Sequence, residues 1–308
     1  MGSRAFPTEK LSRLTLGTAQ LGLEYGIANC QGCPDEKKTR AILDAAWREG
    51  IACLDTAHAY GKAEERIGAW CKHTGNRPLV ISKLPPLHQY PDPDLEDAVL
   101  RYFSQSCLAL GVTFLDGYLV HRADDLHRPG VAKMLRALCS EGKLGAFGTS
   151  VYTAGEIDHA LQVPGLSLVQ APINIFDRRV VDSGAVARCH SQGVLVFARS
   201  IFWQGVFSLS PDDLPEYLQE ARCALEELGR LAGEAGYDVA TLALVSVRDI
   251  PGVAFLVIGV DCVEQLLANA RAVRLPPLDD GLLKAVMKLG KNLPEEVLNP
   301  SLWPAKPF

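Results

Sequence analysis

The stretch Ile51-Ala52-Cys53-Leu54-Asp55 decides how this chain is read. Apolar residues of strand length end in a carboxylate, and Gly50 separates them from an amphipathic stretch over Glu36–Arg48. A glycine belongs just past a helix C-terminus, so the segment reads as helix, stop, buried strand, polar tip. The same unit recurs along the chain. Short apolar runs stand at Leu14–Gly17, Ile51–Asp55, Leu79–Lys83, Phe114–His121, Leu144–Ser150, Leu166–Gln170, Val194–Arg199 and Ala254–Gly259. Helical patterns lie between or after them at Glu36–Arg48, Glu64–Lys72, Asp94–Leu110, Gly130–Ser140, Thr153–Leu161, Ser183–Ser191, Val239–Val247 and Val263–Ala272, with Gly50, Gly111, Gly142 and Gly193 as stops. Strands alternating with helices predict βα units and a parallel sheet. Eight units in roughly 250 residues predict a closed (β/α)8 TIM barrel, a single α/β domain over residues 1–308. A doubly wound sheet usually carries G-x-G-x-x-G after its first strand. Here that strand runs into Gly17-Thr18-Ala19-Gln20-Leu21-Gly22. An extra helical segment over 211–236 and a terminal helix (Leu278–Leu289) with its tail, 278–308, fall outside the repeat.

The formal net charge is −5, and the 31 Lys and Arg are scattered rather than grouped. Nucleic acid and anionic membrane surfaces are therefore not expected partners. No apolar run approaches the roughly 18 residues of a membrane-spanning helix. The N-terminus MGSRAFPTEK lacks the apolar core of a secretory signal, so a cytoplasmic location is expected. Nine cysteines are an odd number and mostly sit in apolar helix or strand patterns, which suits reduced thiols. Cys30-Gln31-Gly32-Cys33 resembles half of a zinc site, but no second Cys pair or spaced His pair completes four ligands, and no metal is expected.

In a barrel of this kind, reactive side chains stand at the C-terminal ends of the strands. Asp55, Lys83, His121, Ser150, Gln170 and Arg199 all occupy such ends. Taken singly, each has an ordinary explanation: a helix cap, a solvated rim lysine, a hydrogen-bonded histidine. Three successive strands ending in a carboxylate, an ammonium and an imidazole, with Tyr60 just beyond the first, make a combined site the better reading. A phenol has a pKa near 10 and is a poor acid at neutral pH unless a cation stabilises its phenolate. Lys83 is the candidate cation, and Asp55 would keep that lysine charged. His121 would hydrogen-bond beside the phenol, orienting a carbonyl or assisting proton transfer. A proton donor to a developing alkoxide needs a hydride donor opposite it. With no flavin motif or metal site in the sequence, nicotinamide is the economical inference. Ser150 and Gln170 would bind its carboxamide, and the turn at Gly259 would lie near its phosphates.

The residues resemble the aldo-keto reductase family. Leu54 to Gly68, LDTAHAYGKAEERIG, is similar to the family's D-T-A-x-x-Y-G-x-S-E-x-x-L-G motif, with Ala63 in place of Ser. Ile81-Ser82-Lys83 is similar to its catalytic lysine strand, Leu119-Val120-His121-Arg122 to its histidine strand, and Gly145–Ser150 to its G-x-S segment. Gln265 and Asn269 fit the closing Q-L-x-x-N pattern. The resemblance implies a catalytic set of Asp55, Tyr60, Lys83 and His121. It implies NADPH as cofactor, with NADH the alternative, held by Gly17, Thr18, Asp55, Ser150, Gln170, Arg199, Ser200, Gly205, Gly259, Gln265 and Asn269. Three positions depart from it: Arg199 stands where many members have an aromatic residue, Val151 where many have Asn, and Asp261 near where a basic residue often meets the adenosine 2′-phosphate.

The expected partner is a small-molecule carbonyl compound, with Tyr25, His88, Arg122, His127, Phe202, Trp203 and Trp303 as candidate pocket residues. The charged segment Arg122–Pro129 predicts an open, polar pocket suited to a sugar-like substrate. Two further readings stand beside reduction: a nucleotide-binding sensor or scaffold with little turnover, and a redox-neutral sugar-modifying enzyme that uses bound cofactor transiently. Oligomeric state has no reading in the sequence.

Overall fold

The computed structural model describes residue 6, residues 11–29 and residues 32–304. Cys30, and with it the Cys30–Cys33 metal reading, lies outside the described residues, as do residues 305–308 of the tail. The strands β1 (Leu14–Gly17), β2 (Cys53–Asp55), β3 (Leu79–Leu84), β4 (Leu115–Val120), β5 (Leu144–Ser150), β6 (Leu168–Pro172), β7 (Leu195–Arg199) and β8 (Val253–Ile258) are parallel and pair in chain order. β8 pairs back onto β1, which closes the barrel.

The surrounding helices begin with α1 (Glu36–Arg48), α2 (Ala63–Thr74), α3 (Leu95–Leu110), α4 (Val131–Ser140) and α5 (Ala154–Ala160). They continue with α6 (Arg179–Asp182), α7 (Ala185–Ser191), α8 (Arg222–Glu234), α9 (Val239–Arg248), α10 (Val263–Ala272), α11 (Asp280–Val286) and α12 (Glu295–Leu298). α1 shows why the sequence folds this way locally. The Asp35 side chain accepts the Lys38 backbone N–H at its start, and Gly50, at φ 77°, turns the chain toward β2 at its end. The helix expected over Ser183–Ser191 is shorter than its sequence pattern. Gly184, in a left-handed conformation at φ 76°, breaks the chain into the short α6 and a separate α7. The terminal helix is likewise confined to Asp280–Val286, with Asp279 accepting the first-turn N–H groups of Gly281 and Leu282.

Strand alternation positions the site. Side chains two apart on a strand share a face. Cys53, Ile81, Leu119, Ala146, Leu168, Phe197, Phe255 and Val257 form the apolar packing inside the barrel, with Phe6 against Phe197 and Phe255 below. Two residues further along most of these strands stand Asp55, Lys83, His121, Gln170 and Arg199. Leu54, Val80, Val120, Val169 and Ala198, on the opposite face of their strands, belong to the larger core between barrel and helices. A second apolar cluster packs α8, α9 and the C-terminal segment against the chain after β7. No helix among the described residues is long and apolar enough to cross a membrane, and no group of three or more His, Cys, Asp or Glu is placed to hold a metal.

Candidate active site

Lys83 is 1% exposed, and its ammonium is the hub of the barrel's polar end. It donates to Asp55 Oδ1 and Oδ2, each at 2.7 Å, to the Thr56 carbonyl at 3.0 Å and to the Tyr60 hydroxyl at 3.4 Å. Burial alone would depress the lysine pKa, but the Asp55 carboxylate and the Tyr60 hydroxyl outweigh it, and the pKa is raised from its ordinary value. Lys83 is therefore a fixed cation beneath Tyr60, its Nζ 4.9 Å from the phenol ring centroid. Gln170 reaches across the barrel to donate to Asp55 Oδ1 at 2.8 Å. The carboxylate is thus oriented from both sides, as a buried charge requires.

His121 faces Tyr60 edge to face, ring centroids 6.4 Å apart. Its backbone N–H donates to Leu84 O, which ties the end of β4 to β3. Burial, then the Lys83 and Arg199 charges, push its pKa down to about 4, so the imidazole is neutral at neutral pH. A neutral ring donates one hydrogen bond and carries no proton to give away as an imidazolium. Behind the site, Ser82 donates to Glu64 Oε1 at 2.5 Å, anchoring α2 to β3 and so the loop that carries Tyr60.

From Asp55 and Tyr60 a cleft of about 490 Å³ runs across the barrel mouth. That volume falls in the usual range for ligand sites, about 300–1,000 Å³. Gly17, Thr18 and Gln170 line its inner end; Arg199, Ser200, Phe202 and Gly205 line one wall; Gly259, Gln265 and Asn269 line the far end. These are nearly all the residues the sequence assigned to a nucleotide. The far end is also the start of α10, whose N-cap residue Cys262 makes no side-chain capping bond. The Cys262 thiol and the Glu264 carboxylate lie against its first-turn N–H groups. Asp261 is there too, with burial raising its carboxyl pKa and its backbone N–H donating to Gln265 Oε1 at 2.8 Å. Ser150, expected beside Gln170 at a carboxamide, is buried and is not on the cleft wall, while the Gln170 amide is engaged by Asp55.

The substrate candidates divide. Tyr25 and Phe202 line the cleft. Tyr25 is 37% exposed as a residue, but desolvation of its hydroxyl end in the cleft, with Tyr60 next in effect, raises its pKa. Trp203 and Trp303 do not line it, which corrects the expectation for both. Trp203 is fully buried, packs on Phe176, Phe207 and Trp303, and donates to Leu298 O. Trp303 packs on Trp203 and Tyr217 and donates to Val297 O. Both hold the C-terminal segment. His88 and Arg122 are exposed away from the cleft wall, and His127 stacks on His159 with centroids 3.4 Å apart. The charged segment Arg122–Pro129 does not make a polar pocket either. Asp125 accepts the Leu87 N–H, while Arg128 donates to Leu87 O, Tyr90 O and Asp92, so these charges brace the loop after β3. Sequence reading missed Tyr152, on whose ring the Arg199 guanidinium lies at 4.4 Å, and Gln204, whose carbonyl accepts the Ile27 N–H and joins the loops after β7 and β1. The position of Tyr152 just past the β5 end was a signal for the first; nothing local marked the second.

The family model described as "Aldo/keto reductase family" matches residues 13–291. "Aldo-keto reductase YhdN" of Bacillus subtilis (strain 168) is 29% identical over 180 residues, 56% of this chain and 53% of that one. "Aldo-keto reductase yakc [NADP(+)]" of Schizosaccharomyces pombe is 27% identical over 229 residues, 69% of this chain and 66% of that one. The matches thus span between about half and two thirds of these relatives' lengths. Among solved structures, "aldo-keto reductase AKR11C1 from Bacillus halodurans (holo form)" is similar at a TM-score of 0.75 and 25% identity, covering 91% of this chain and 93% of that one.

Proposed function

The chain belongs to the aldo/keto reductase family, and on that premise we propose that it reduces the carbonyl group of a small molecule with Tyr60 as proton donor. The observation that carries this reading is the Lys83 ammonium, buried and charged, within reach of both Asp55 oxygens and the Tyr60 hydroxyl. A nicotinamide nucleotide, once bound in the cleft, supplies the hydride. Gly17, Thr18, Ser200, Gly205 and Gly259 offer backbone and small side chains for its close approach, and Gln265 and Asn269 close the far end at the α10 N-terminus.

As hydride reaches the carbonyl carbon, negative charge grows on its oxygen. Tyr60 donates its phenolic proton there, and the phenolate left behind is stabilised by Lys83. Asp55 holds Lys83 protonated and pointed; Gln170 holds Asp55. Neutral His121 is the hydrogen-bond donor that orients the carbonyl oxygen toward Tyr60. In the oxidising direction the phenolate takes the proton back.

The nucleotide expected is NADPH, with NADH accepted. The Asp261 carboxylate in the α10 end of the cleft works against a 2′-phosphate and narrows the preference. The test is turnover of a carbonyl panel by wild type and Tyr60→Phe, with nucleotide affinity followed by fluorescence. The variant is expected to bind nucleotide with unchanged affinity and to lose reduction by about 10²-fold or more. Undiminished turnover in Tyr60→Phe overturns the reading.

A further inference from the structure

Among the charges at the reaction end of the cleft, one is not balanced. Asp55 and Lys83 neutralise each other at 2.7 Å. His121 is held neutral. Arg199, at the end of β7 on the cleft wall, makes three contacts among the described residues, none of them with a carboxylate: Nη1 donates to Ser200 Oγ at 3.3 Å, Nη2 donates to Val151 O at 3.2 Å, and the guanidinium lies over the Tyr152 ring. Two of its five N–H groups are thereby engaged, and both acceptors are uncharged. Of the other cleft carboxylates, Asp238 accepts from the Thr241 N–H and hydroxyl at the start of α9, and Asp261 makes no ion pair with Arg199 among the described residues. The Arg199 charge is nevertheless felt where the chemistry happens, since it contributes to lowering His121 and acts on Tyr25.

A protein with a formal net charge of −5 has no general excess of cations to leave in a cleft. A half-buried guanidinium without an anion loses hydration with no Coulombic return, and a ligand anion supplies that return. Tyr152 fixes the guanidinium plane from one side, and Val151 O and Ser200 Oγ fix its rotation. It is therefore preorganised as a fork for a planar or tetrahedral oxyanion. Resting on the carbonyl-reductase reading of the same site, we propose that Arg199 binds an anionic group of the substrate, so that the natural substrate is a carbonyl compound bearing a carboxylate or a phosphate. Tyr25 and Phe202, on the same cleft, would pack against the carbon skeleton between the carbonyl and that anion.

The experiment compares an acid with its neutral counterpart and requires no turnover. Protein saturated with NADP⁺ or NAD⁺, which cannot donate hydride, is titrated calorimetrically with 4-formylbenzoate, its methyl ester and 4-formylphenyl phosphate, in wild type, Arg199→Gln and Arg199→Lys. Wild type is expected to bind at least one of the two anions about tenfold or more tighter than the ester, the scale of a charge-assisted fork. Whichever anion is preferred distinguishes carboxylate from phosphate. Arg199→Gln should erase the ratio, and Arg199→Lys should keep part of it, a rescue that loss of packing alone does not produce. Equal binding of acid, phosphate and ester by wild type overturns the inference, as does a ratio that survives Arg199→Gln. So does a loss of nucleotide affinity in Arg199→Gln with the ratio intact, since the guanidinium would then serve the cofactor's phosphates. The Tyr60→Phe turnover test fails or succeeds independently of this one.

Discussion

The two ends of the cleft are built in opposite ways. At the β2–β3 end, Asp55, Lys83 and Gln170 come from strands, are buried, and saturate one another with short hydrogen bonds. At the β7–β8 end, the walls come from loop backbone, including Ser200 and Gln204 at positive φ with Trp203 likewise at positive φ behind them, and from the first turn of α10. Left-handed conformations at residues other than glycine cost energy and persist only where the surroundings impose them. Here Trp203 is buried in the satellite core, and the Gln204 carbonyl is tied to Ile27. The difference teaches that the proton-handling end is fixed by the barrel's own strands, whereas the binding end is fixed by packing that the barrel does not supply.

That contrast breaks most visibly at Lys83. Lys83→Met removes one partner of a buried ion pair and leaves the Asp55 carboxylate without its cation. A loss of about 3–5 kcal/mol in chemical denaturation is expected, together with loss of reduction comparable to Tyr60→Phe. A variant as stable as wild type would place the pair outside the structural core. The satellite core gives a smaller effect of another kind. Trp303→Ala should cost about 1–2 kcal/mol for a half-buried aromatic, with KM and kcat little changed, because the side chain holds the tail and does not meet the cleft. A rise in KM without a stability change would return Trp303 to the pocket. The finest adjustment is at Asp261. Removing its charge with Asp261→Asn should improve NADPH affinity relative to NADH by about fivefold, roughly 1 kcal/mol, measured as the ratio of the two dissociation constants. An unchanged ratio would show that the carboxylate does not face the 2′-position.

Much of the fold was legible because it rests on local rules. Alternating apolar strands, helix caps such as Asp35 and stops such as Gly50 are read within a few residues of chain, and α1 and α10 stand where their periodicity puts them. The helix ending at Ser191 was overextended because Gly184 counts as one weak helix position in a pattern but as a break when its φ is positive. Aromatic and charged side chains were the least legible. Trp203, Trp303, Asp125 and Arg128 have the composition of a pocket, and only their partners reveal that they hold loops.

The sequence by itself determined the barrel and the parity that sends Asp55, Lys83, His121, Gln170 and Arg199 to one mouth, because a strand's two-residue period is a property of the backbone. Tertiary structure alone decided what each polar group does there. Distances between residues far apart in the chain, such as Gln170 to Asp55 or Arg199 to Tyr152, depend on barrel closure and register. Those distances set which charges cancel, leaving Lys83 neutralised and Arg199 open to a ligand.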